Sequence, residues 1–312
     1  MRRPGLRRTL WGQPGQGFWL AAMGSAVNLS YNGLDALGEV ARTHRPVLGA
    51  AVIHGKGPRG TGPVFLGGFR YDPTATRDSV WEGFPDASLE LPHLLLTWSG
   101  GETWLTISAL VSSETDPEEE ARAAMARVTA LRTTPCTQTG QPRVIDLQQT
   151  SQSEWTSWVR QSLQAIEDGS LTKVVLARRK VLTAQGPFSL ETALGRITQA
   201  NPECTIFAID NGEAAFVGAT PEALLHVDKG MLRLTCLAGT VGRSSDPDED
   251  CRLSHQLLDS AKDRMEHAAV VAAVAETLNE VCREVHRDPE PGIMTLRTVH
   301  HLLTVFTGRL KA

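Results

Sequence analysis

No stretch of this sequence approaches the roughly 20 consecutive apolar residues that a membrane-spanning helix needs. The best candidate, residues 18–27, is short, and a segment rich in glycine and glutamine separates it from the four preceding arginines. That separation disfavours a secretion signal. Of the 312 residues, 41% are hydrophobic, which is enough for one large core or two modest ones. We therefore expect a globular protein that does not cross a membrane.

Paired cysteine motifs are also missing. The five cysteines never form a Cys-x-x-Cys pattern; they are Cys136, Cys204, Cys236, Cys251 and Cys282. Their odd number and wide scatter argue against a disulfide framework and against a zinc site. Reduced thiols and a cytoplasmic location are the expected consequence.

An excess of positive charge is absent as well. Lysine and arginine total 31 against 35 for aspartate and glutamate, a net charge of −4. No general basic field is available to hold nucleic acid or an anionic membrane. The glycine-rich stretch 55–62 also lacks the Gly-Lys-Ser/Thr ending of a phosphate-binding loop, because Lys56 is followed by Gly57. A small-molecule or neutral-surfaced partner is therefore expected; the oligomeric state is left open.

The first third of the chain predicts strands joined by loops. Apolar runs at 47–53 and 64–69 flank the glycine-rich stretch, and runs at 94–98 and 104–111 flank Ser-Gly-Gly-Glu, which is typical of a hairpin connection. A helix is predicted next, because Thr115 or Asp116 can cap it and Pro117 suits its first turn. We expect a strand-rich N-terminal subregion over 1–135 and a polar crossing over 133–150.

The remainder, 150–312, mixes helices with antiparallel hairpins. Helical spacing from Trp155 to Ile166 precedes a strand at 174–182. Two hairpins follow, one around Asn211-Gly212 and one around residues 228–230. A single long helix is predicted from 250 to about 284. Such a pattern favours an α+β protein over a parallel doubly wound sheet.

Three carboxylates are predicted to stack along one face of that long helix. Asp259, Asp263 and Glu266 lie four and three residues apart, where like charges repel by a few tenths of a kcal/mol. A hard divalent cation would reverse the repulsion, and oxygen-only ligands favour magnesium. The alternative is a solvated acidic face screened by Lys262 and Arg264.

Two further residues are candidates for proton transfer. Lys173 opens an apolar run, and partial burial of an amine favours its use as a general base. The alternative is a strand-end lysine that extends to water. Glu222 follows Thr-Pro at a turn between strands, where a carboxyl can face a pocket as a proton donor. The alternative is an exposed turn glutamate.

Strand ends provide the remaining candidates. Gly239 and Thr240 can offer backbone amides and a hydroxyl to an anion, or can simply form a turn. His300 and His301 are adjacent in a predicted strand, so their side chains point to opposite faces and at most one faces a given pocket.

Five of these segments occur together and in the order found in a known family. They are Lys-Val-Val-Leu-Ala-Arg at 173–178, Phe-Val-Gly-Ala-Thr-Pro-Glu at 216–222, Leu-Ala-Gly-Thr at 237–240, Leu-Leu-Asp-Ser-Ala-Lys-Asp-Arg-Met-Glu-His at 257–267, and His-Leu-Leu-Thr at 301–304. In this order they resemble the chorismate-utilising enzymes, which include isochorismate, salicylate, anthranilate and aminodeoxychorismate synthases. A weaker likeness over 60–110 favours the menaquinone-type isochorismate synthases.

The resemblance implies a fold and a reaction. The implied fold is α+β, with two antiparallel β-sheets packed face to face and helices on the outside. The implied activity is conversion of chorismate to isochorismate, with Lys173 activating a water that attacks ring carbon C2. Glu222 would then protonate the departing C4 hydroxyl. The chorismate-binding catalytic region is expected over 150–312.

The resemblance also implies a metal and substrate contacts. Glu266 matches the family's magnesium ligand, and Asp263 matches a neighbouring acidic position that acts through water. The ion would hold the ring carboxylate of the substrate. Gly239 and Thr240 match a Gly-Thr pair that lines the substrate site, and His301 matches a histidine near the leaving hydroxyl.

Two alternatives accompany this reading. One is a sister activity, either salicylate synthase or an aminating synthase of the anthranilate or aminodeoxychorismate type. The other is a non-catalytic remnant that binds ligand without turnover. The menaquinone and siderophore pathways both remain candidates for the use of the product.

Members of the family continue well beyond the His-Leu motif to a second magnesium ligand, whereas this sequence ends at Ala312. Unpaired sheet edges and a metal short of ligands would follow. We predict that the purified 312-residue polypeptide is poorly soluble and converts chorismate weakly or not at all. Ready formation of isochorismate, measured by chromatography, would refute this prediction.

Overall fold

The computed structural model describes residues 6–131 and 142–311. The chain divides into two compact units. The first unit comprises Met1–Thr137 and Leu190–Thr220, and the second comprises Gln138–Ser189 and Pro221–Ala312. Residues 133–141, the first half of the predicted polar crossing at 133–150, lie outside the described residues.

The described residues form six α-helices and sixteen β-strands. The helices are α1 (Ala36–Gly49), α2 (Pro117–Thr129), α3 (Gln152–Glu167), α4 (Leu190–Ala200), α5 (Pro247–Asp259) and α6 (Ala261–Val281). The strands are β1 (Arg8–Gln13), β2 (Phe18–Met23), β3 (Val27–Tyr31), β4 (Leu66–Phe69), β5 (Ala87–Leu91), β6 (Leu94–Ser99), β7 (Glu102–Ile107), β8 (Val144–Gln149), β9 (Lys180–Ala184), β10 (Thr205–Asp210), β11 (Ala215–Thr220), β12 (His226–Asp228), β13 (Met231–Gly242), β14 (Cys282–Arg287), β15 (Gly292–Thr295) and β16 (Val299–Leu310). With every sheet antiparallel, the α+β prediction is confirmed.

The first unit is built on a six-stranded sheet of order β11-β10-β1-β2-β6-β7 and a three-stranded sheet of order β3-β5-β4. Alternation in β2 turns Phe18, Leu20 and Ala22 inward, where they pack with Leu95 of β6. The predicted hairpins β6–β7 and β10–β11 are confirmed. So is the helix capped by Asp116, whose carboxyl accepts two backbone N–H groups.

The predicted strand at 47–53 is wrong. Residues 47–49 form the end of α1, and residues 50–53 lie in no strand. The apolar run is too short to distinguish a strand from a helix end. Ala36 and Val40 anchor the helix by packing on Ala87 of the three-stranded sheet.

The second unit is built on a sheet of order β12-β13-β16-β14, with β15 also paired to β16. Strands β8 and β9 form a separate pair. Helix α6 covers the larger sheet, where Val271 and Leu278 pack against Leu234, Cys236 and Phe306. The hairpin β12–β13 is confirmed: Lys229 and Gly230 take the positive φ angles that a tight turn requires.

The predicted helix from 250 to 284 is two helices followed by a strand. Ser260 leaves helical conformation, with ψ of 108°, between α5 and α6, and its hydroxyl accepts the N–H of Asp263. This serine caps α6, as serine does at helix starts. Asp259 therefore ends one helix while Asp263 begins the next, and the predicted stack of three carboxylates is wrong for Asp259.

The predicted strand at 174–182 is wrong in its first part, because β9 begins only at Lys180. A strand exists through its pairing, and β8 pairs only with residues 180–184. Val175, between Lys173 and this strand, is 79% exposed.

In the described ranges 6–131 and 142–311, no helix is both long and apolar enough to span a bilayer.

Phe306 lies at the centre of the second unit with no exposed surface. We predict that Phe306→Ala lowers the free energy of unfolding by about 3–5 kcal/mol, because it removes buried apolar surface and leaves a cavity. As a control, Val175→Ala should change it by less than about 0.5 kcal/mol. Urea unfolding followed by circular dichroism measures both; equal losses would contradict this assignment of the core.

Candidate functional site

The site begins with an irregularity in the pairing of β13 with β16. The register shifts between Ala238 and Thr240, which places Gly239 in a β-bulge with φ of +75°. Residues other than glycine rarely adopt this backbone conformation. The strand was predicted to end here, but it continues to Gly242. The bulge therefore bends a continuous strand at the predicted anion-binding residues.

Helix α6 begins directly against this bulge. A Cβ atom on Gly239 would lie 3.1 Å from Cβ of Asp263 and 3.3 Å from Leu302. Ser260 caps this helix start through two bonds to Asp263, since its hydroxyl accepts the N–H of Asp263 and donates to the Asp263 carboxyl. A Cβ atom at position 239 would be in tight contact with Asp263, so glycine favours this close approach, which holds Asp263 beside the strand.

Thr240 and His301 lie opposite each other in the ladder. Nδ1 of His301 is 2.9 Å from Oγ1 of Thr240 and 3.3 Å from the carbonyl oxygen of Gly239. The three substrate-binding candidates therefore form one hydrogen-bonded group.

His300 contacts a different group, as the prediction of opposite faces requires. Its Nε2 is 3.1 Å from a carboxyl oxygen of Asp250, and its Nδ1 is 2.9 Å from the hydroxyl of Thr295. Arg243 donates to both oxygens of Asp250. The Arg243 guanidinium, aided by the N–H of Ser244, holds the pKa of Asp250 well below its usual range. This ionic cluster ties α5 to the ends of β13, β15 and β16.

Lys173 and Glu266 form an ion pair, with Nζ 3.3 Å from Oε1. The lysine side chain is 27% exposed and the glutamate 38%. Glu266 lies three residues after Asp263, so both carboxylates lie on the same side of α6. The chain therefore brings the predicted base beside the predicted metal ligand across more than 90 residues of sequence.

The side chain of Glu222 contacts strand β13. The N–H of Leu237 donates to its carboxyl at 3.3 Å. Burial, with a smaller contribution from Glu222, raises the pKa of the neighbouring Cys236 to about 11. Leu237 is two residues before Gly239, a distance of about 7 Å along a strand. All seven predicted site residues thus lie in the second unit: six are on or bonded to β13, β16 and the start of α6, and the seventh, Lys173, pairs with Glu266 of α6.

His267 was not predicted as a site residue. It is 3% exposed, and its Nε2 is 2.8 Å from the hydroxyl of the equally buried Thr304. Burial lowers the pKa of His267; the backbone of Ala238 opposes this shift and the charge of Lys173 adds to it. The sequence contained a clue to the burial of this histidine, because His267 lies four residues before Val271 and therefore on the apolar side of α6.

The carboxylates Asp263 and Glu266 supply oxygen ligands only. Among the residues in the described ranges, no group of three or more His, Cys, Asp or Glu side chains is placed to hold a metal ion. Magnesium, however, commonly uses one or two carboxylates together with water and substrate oxygens. The pair fits that mode of binding, whereas it would not suit a structural zinc site.

These features define a class of protein: an α+β fold whose second unit gathers an amine, carboxylates and an imidazole at a strand bulge. A family model described as "Chorismate binding enzyme" matches residues 1–312. The chain belongs to this family.

Curated relatives agree with that assignment. Isochorismate synthase MenF of Bacillus subtilis is 30% identical over 250 residues, which cover 80% of this chain and 53% of the relative. The salicylate biosynthesis isochorismate synthase of Pseudomonas aeruginosa is 29% identical, with 96% and 62% covered. The chain thus spans between about half and two thirds of the length of these relatives.

Solved structures share the fold. The menaquinone-specific isochorismate synthase MenF of Escherichia coli superposes with a TM-score of 0.79 at 22% identity, covering 98% of this chain and 65% of that one. Anthranilate synthase component I of Streptococcus pneumoniae gives a TM-score of 0.70 at 18% identity, covering 94% and 69%. At these identities the likeness concerns the fold alone.

The packing at the bulge can be tested with two glycines of similar φ. Gly230 has φ of +78° and no atom near its missing Cβ, whereas Gly239 faces Asp263. We predict that Gly230→Ala costs about 1–2 kcal/mol through backbone strain alone. Gly239→Ala should cost at least about 1 kcal/mol more, because the helix must move away. Urea unfolding of the two variants measures the difference, and equal losses would show that α6 does not press on the bulge.

Proposed function

We propose that this chain carries the chorismate-binding catalytic region of an isochorismate synthase, within residues 150–312. The observation that supports it most is the ion pair between Lys173 and Glu266 beside the strand that Glu222 contacts. An amine, a carboxylic acid and a pair of metal-binding carboxylates are the groups that this isomerisation requires. The names of the curated relatives support the same reaction.

The reaction moves a hydroxyl group from C4 to C2 of the ring. Lys173 accepts a proton from water as the water oxygen bonds to C2, and the ring double bonds shift. The C4–O bond breaks, and Glu222 gives a proton to the departing hydroxyl, which leaves as water. One water enters and one leaves, so the overall reaction is an isomerisation. A base and an acid placed on different sides of the ring accomplish it without a redox cofactor.

The ion pair sets a condition on this role. An ammonium group held by a carboxylate has no lone pair to accept a proton. Lys173 must therefore be free of Glu266, as a neutral amine, when water attacks. Its partial exposure leaves room for that movement.

The group formed by Gly239, Thr240 and His301 is suited to substrate binding. The hydrogen bond between Thr240 and His301 fixes the imidazole ring at the strand bulge. His301 would lie near the departing hydroxyl, and the backbone around Gly239 would contact the substrate. These roles rest on the match to the family's motifs and on the grouping of the three residues.

Magnesium is the proposed cofactor, with Glu266 as a ligand and Asp263 acting through water. When bound, the ion would supply positive charge that holds the ring carboxylate of chorismate. Two hydrogen bonds with the Ser260 hydroxyl fix the position of Asp263 at the helix start. We also propose a cytoplasmic location, which the free thiols of Cys204, Cys236, Cys251 and Cys282 support.

The experiment combines binding with product analysis. The purified chain is mixed with chorismate and magnesium in the presence of either water alone or ammonia. We predict that chorismate raises Tm in the presence of magnesium, since a ligand of the folded state stabilises it. The product formed, however slowly, should be isochorismate under both conditions. Salicylate or an aminated product would indicate a sister activity instead.

Variants assign the roles. Lys173→Met and Glu222→Gln should retain the rise in Tm but lose about 100-fold or more in product formation. Lys180→Met, an exposed lysine of β9, is the matched control and should behave as the unaltered chain. Failure of chorismate to stabilise the unaltered chain, or product formation that survives Lys173→Met, would contradict the proposal.

A further inference from the structure

The hydrogen bond between His267 and Thr304 is buried, polar and unused by the reaction proposed above. Both residues are 3% exposed. A buried polar group destabilises a fold unless it is hydrogen-bonded, and an apolar pair of similar shape would serve a core at least as well. The pair is therefore a candidate for a role beyond packing.

The position of the pair links two parts of the site. His267 directly follows Glu266 in α6. A shift of the backbone at His267 therefore also moves Glu266, the residue that pairs with Lys173. Thr304 lies in β16 opposite Cys236 of β13. The next residue of β13, Leu237, donates to Glu222. The hydrogen bond thus joins the helix of Glu266 to the two strands that position Glu222 and His301.

A directional bond at this place does what apolar packing does not. Apolar contacts allow a helix to rotate about its axis or slide by a fraction of an ångström, whereas a hydrogen bond weakens steeply with distance and angle. Helix α6 is already fixed at its start by Ser260 and by the bulge. The bond from His267 provides a second fixed point one turn after Asp263, just beyond Glu266.

We propose that His267, through its hydrogen bond to Thr304, is a positioning residue that sets where Glu266 and Lys173 stand relative to β13 and β16. It does not touch the substrate. The inference rests on the proposed function for its consequence, since it gives the pair a part in chorismate binding. Its structural half concerns only residues of this chain and can be tested without ligand.

The key variant is Thr304→Val, which keeps the shape of the side chain and removes the hydroxyl. Thr304→Ser keeps the hydroxyl and should behave as the unaltered chain. Thr97→Val is the matched control: Thr97 is also fully buried, donates to a backbone carbonyl and lies in the first unit. Both valine variants lose one buried hydrogen bond, so both should lower Tm by about 2–4 °C.

The first measurement needs no ligand. Lysine labelled with 13C at Cε gives few signals, and Lys173→Met identifies the one from Lys173. We predict that Thr304→Val shifts this signal, whereas Thr304→Ser and Thr97→Val leave it in place. An unmoved Lys173 signal in Thr304→Val would overturn the proposal. If Thr304→Val does not fold, His267→Gln, which keeps a polar group near Nε2, replaces it and should shift the signal less than His267→Leu.

The second measurement is the affinity for chorismate in the presence of magnesium, determined from the rise in Tm. Thr304→Val should weaken it by about threefold to tenfold, the equivalent of one neutral hydrogen bond. Thr97→Val should not change it. Equal affinity in Thr304→Val and the unaltered chain would overturn the positioning role. Absence of binding by the unaltered chain would instead refute the proposed function, and the lysine signal would still decide the structural half.

Discussion

The contact between Gly239 and Asp263 is the constraint on which the rest of the site depends. A twelve-residue strand, β13, is bent in its second half by one residue with positive φ, and a helix begins against that residue. The contact fixes three things together: the distance from α6 to the sheet, the position of Asp263, and the direction of Thr240 toward His301. A side chain at position 239 would alter all three. The site is therefore a consequence of one close backbone approach.

The charged side chains around this contact fall into two separate groups. Asp263 and Glu266 present two carboxylates on one side of α6, and Lys173 compensates only one of them within this group. The carboxyl of Asp263 instead accepts the hydroxyl of Ser260. On the opposite face of β16, Arg243 and His300 surround Asp250 and complete a separate ionic cluster. The ionic cluster around Asp250 is thus separate from the candidate ligands Asp263 and Glu266.

Local features of the fold were predictable because local physics determines them. The cap at Asp116 and the turn at Lys229-Gly230 follow from residue types at fixed spacing, and the structure contains both. The break at Ser260 was missed, although Ser followed three residues later by an acidic residue is typical of a helix start. Apolar periodicity continues through the break and conceals it. The prediction of a strand over 174–179 failed for another reason. Strand pairing joins segments that are distant in the chain, so no local stretch of sequence reveals it.

The sequence supplied candidate residues for the site, whereas the contacts between them could not be predicted from it. Spacing and family resemblance selected the seven candidates, but neither indicates that Lys173 pairs with Glu266 or that Gly239 approaches Asp263. These contacts join segments far apart in the chain. His267 escaped because a histidine on an apolar helix face is usually a core residue. Only its hydrogen bond to the equally buried Thr304 distinguishes it from a residue that merely packs in the core.

The most direct test of the account is a crystal structure of this chain with chorismate and magnesium. We predict that the ring lies in the second unit between Lys173 and Glu222, with its carboxylate toward Glu266 and its C4 hydroxyl near His301. Chorismate bound to the first unit, or at a surface of the second unit that none of these residues reaches, would contradict it.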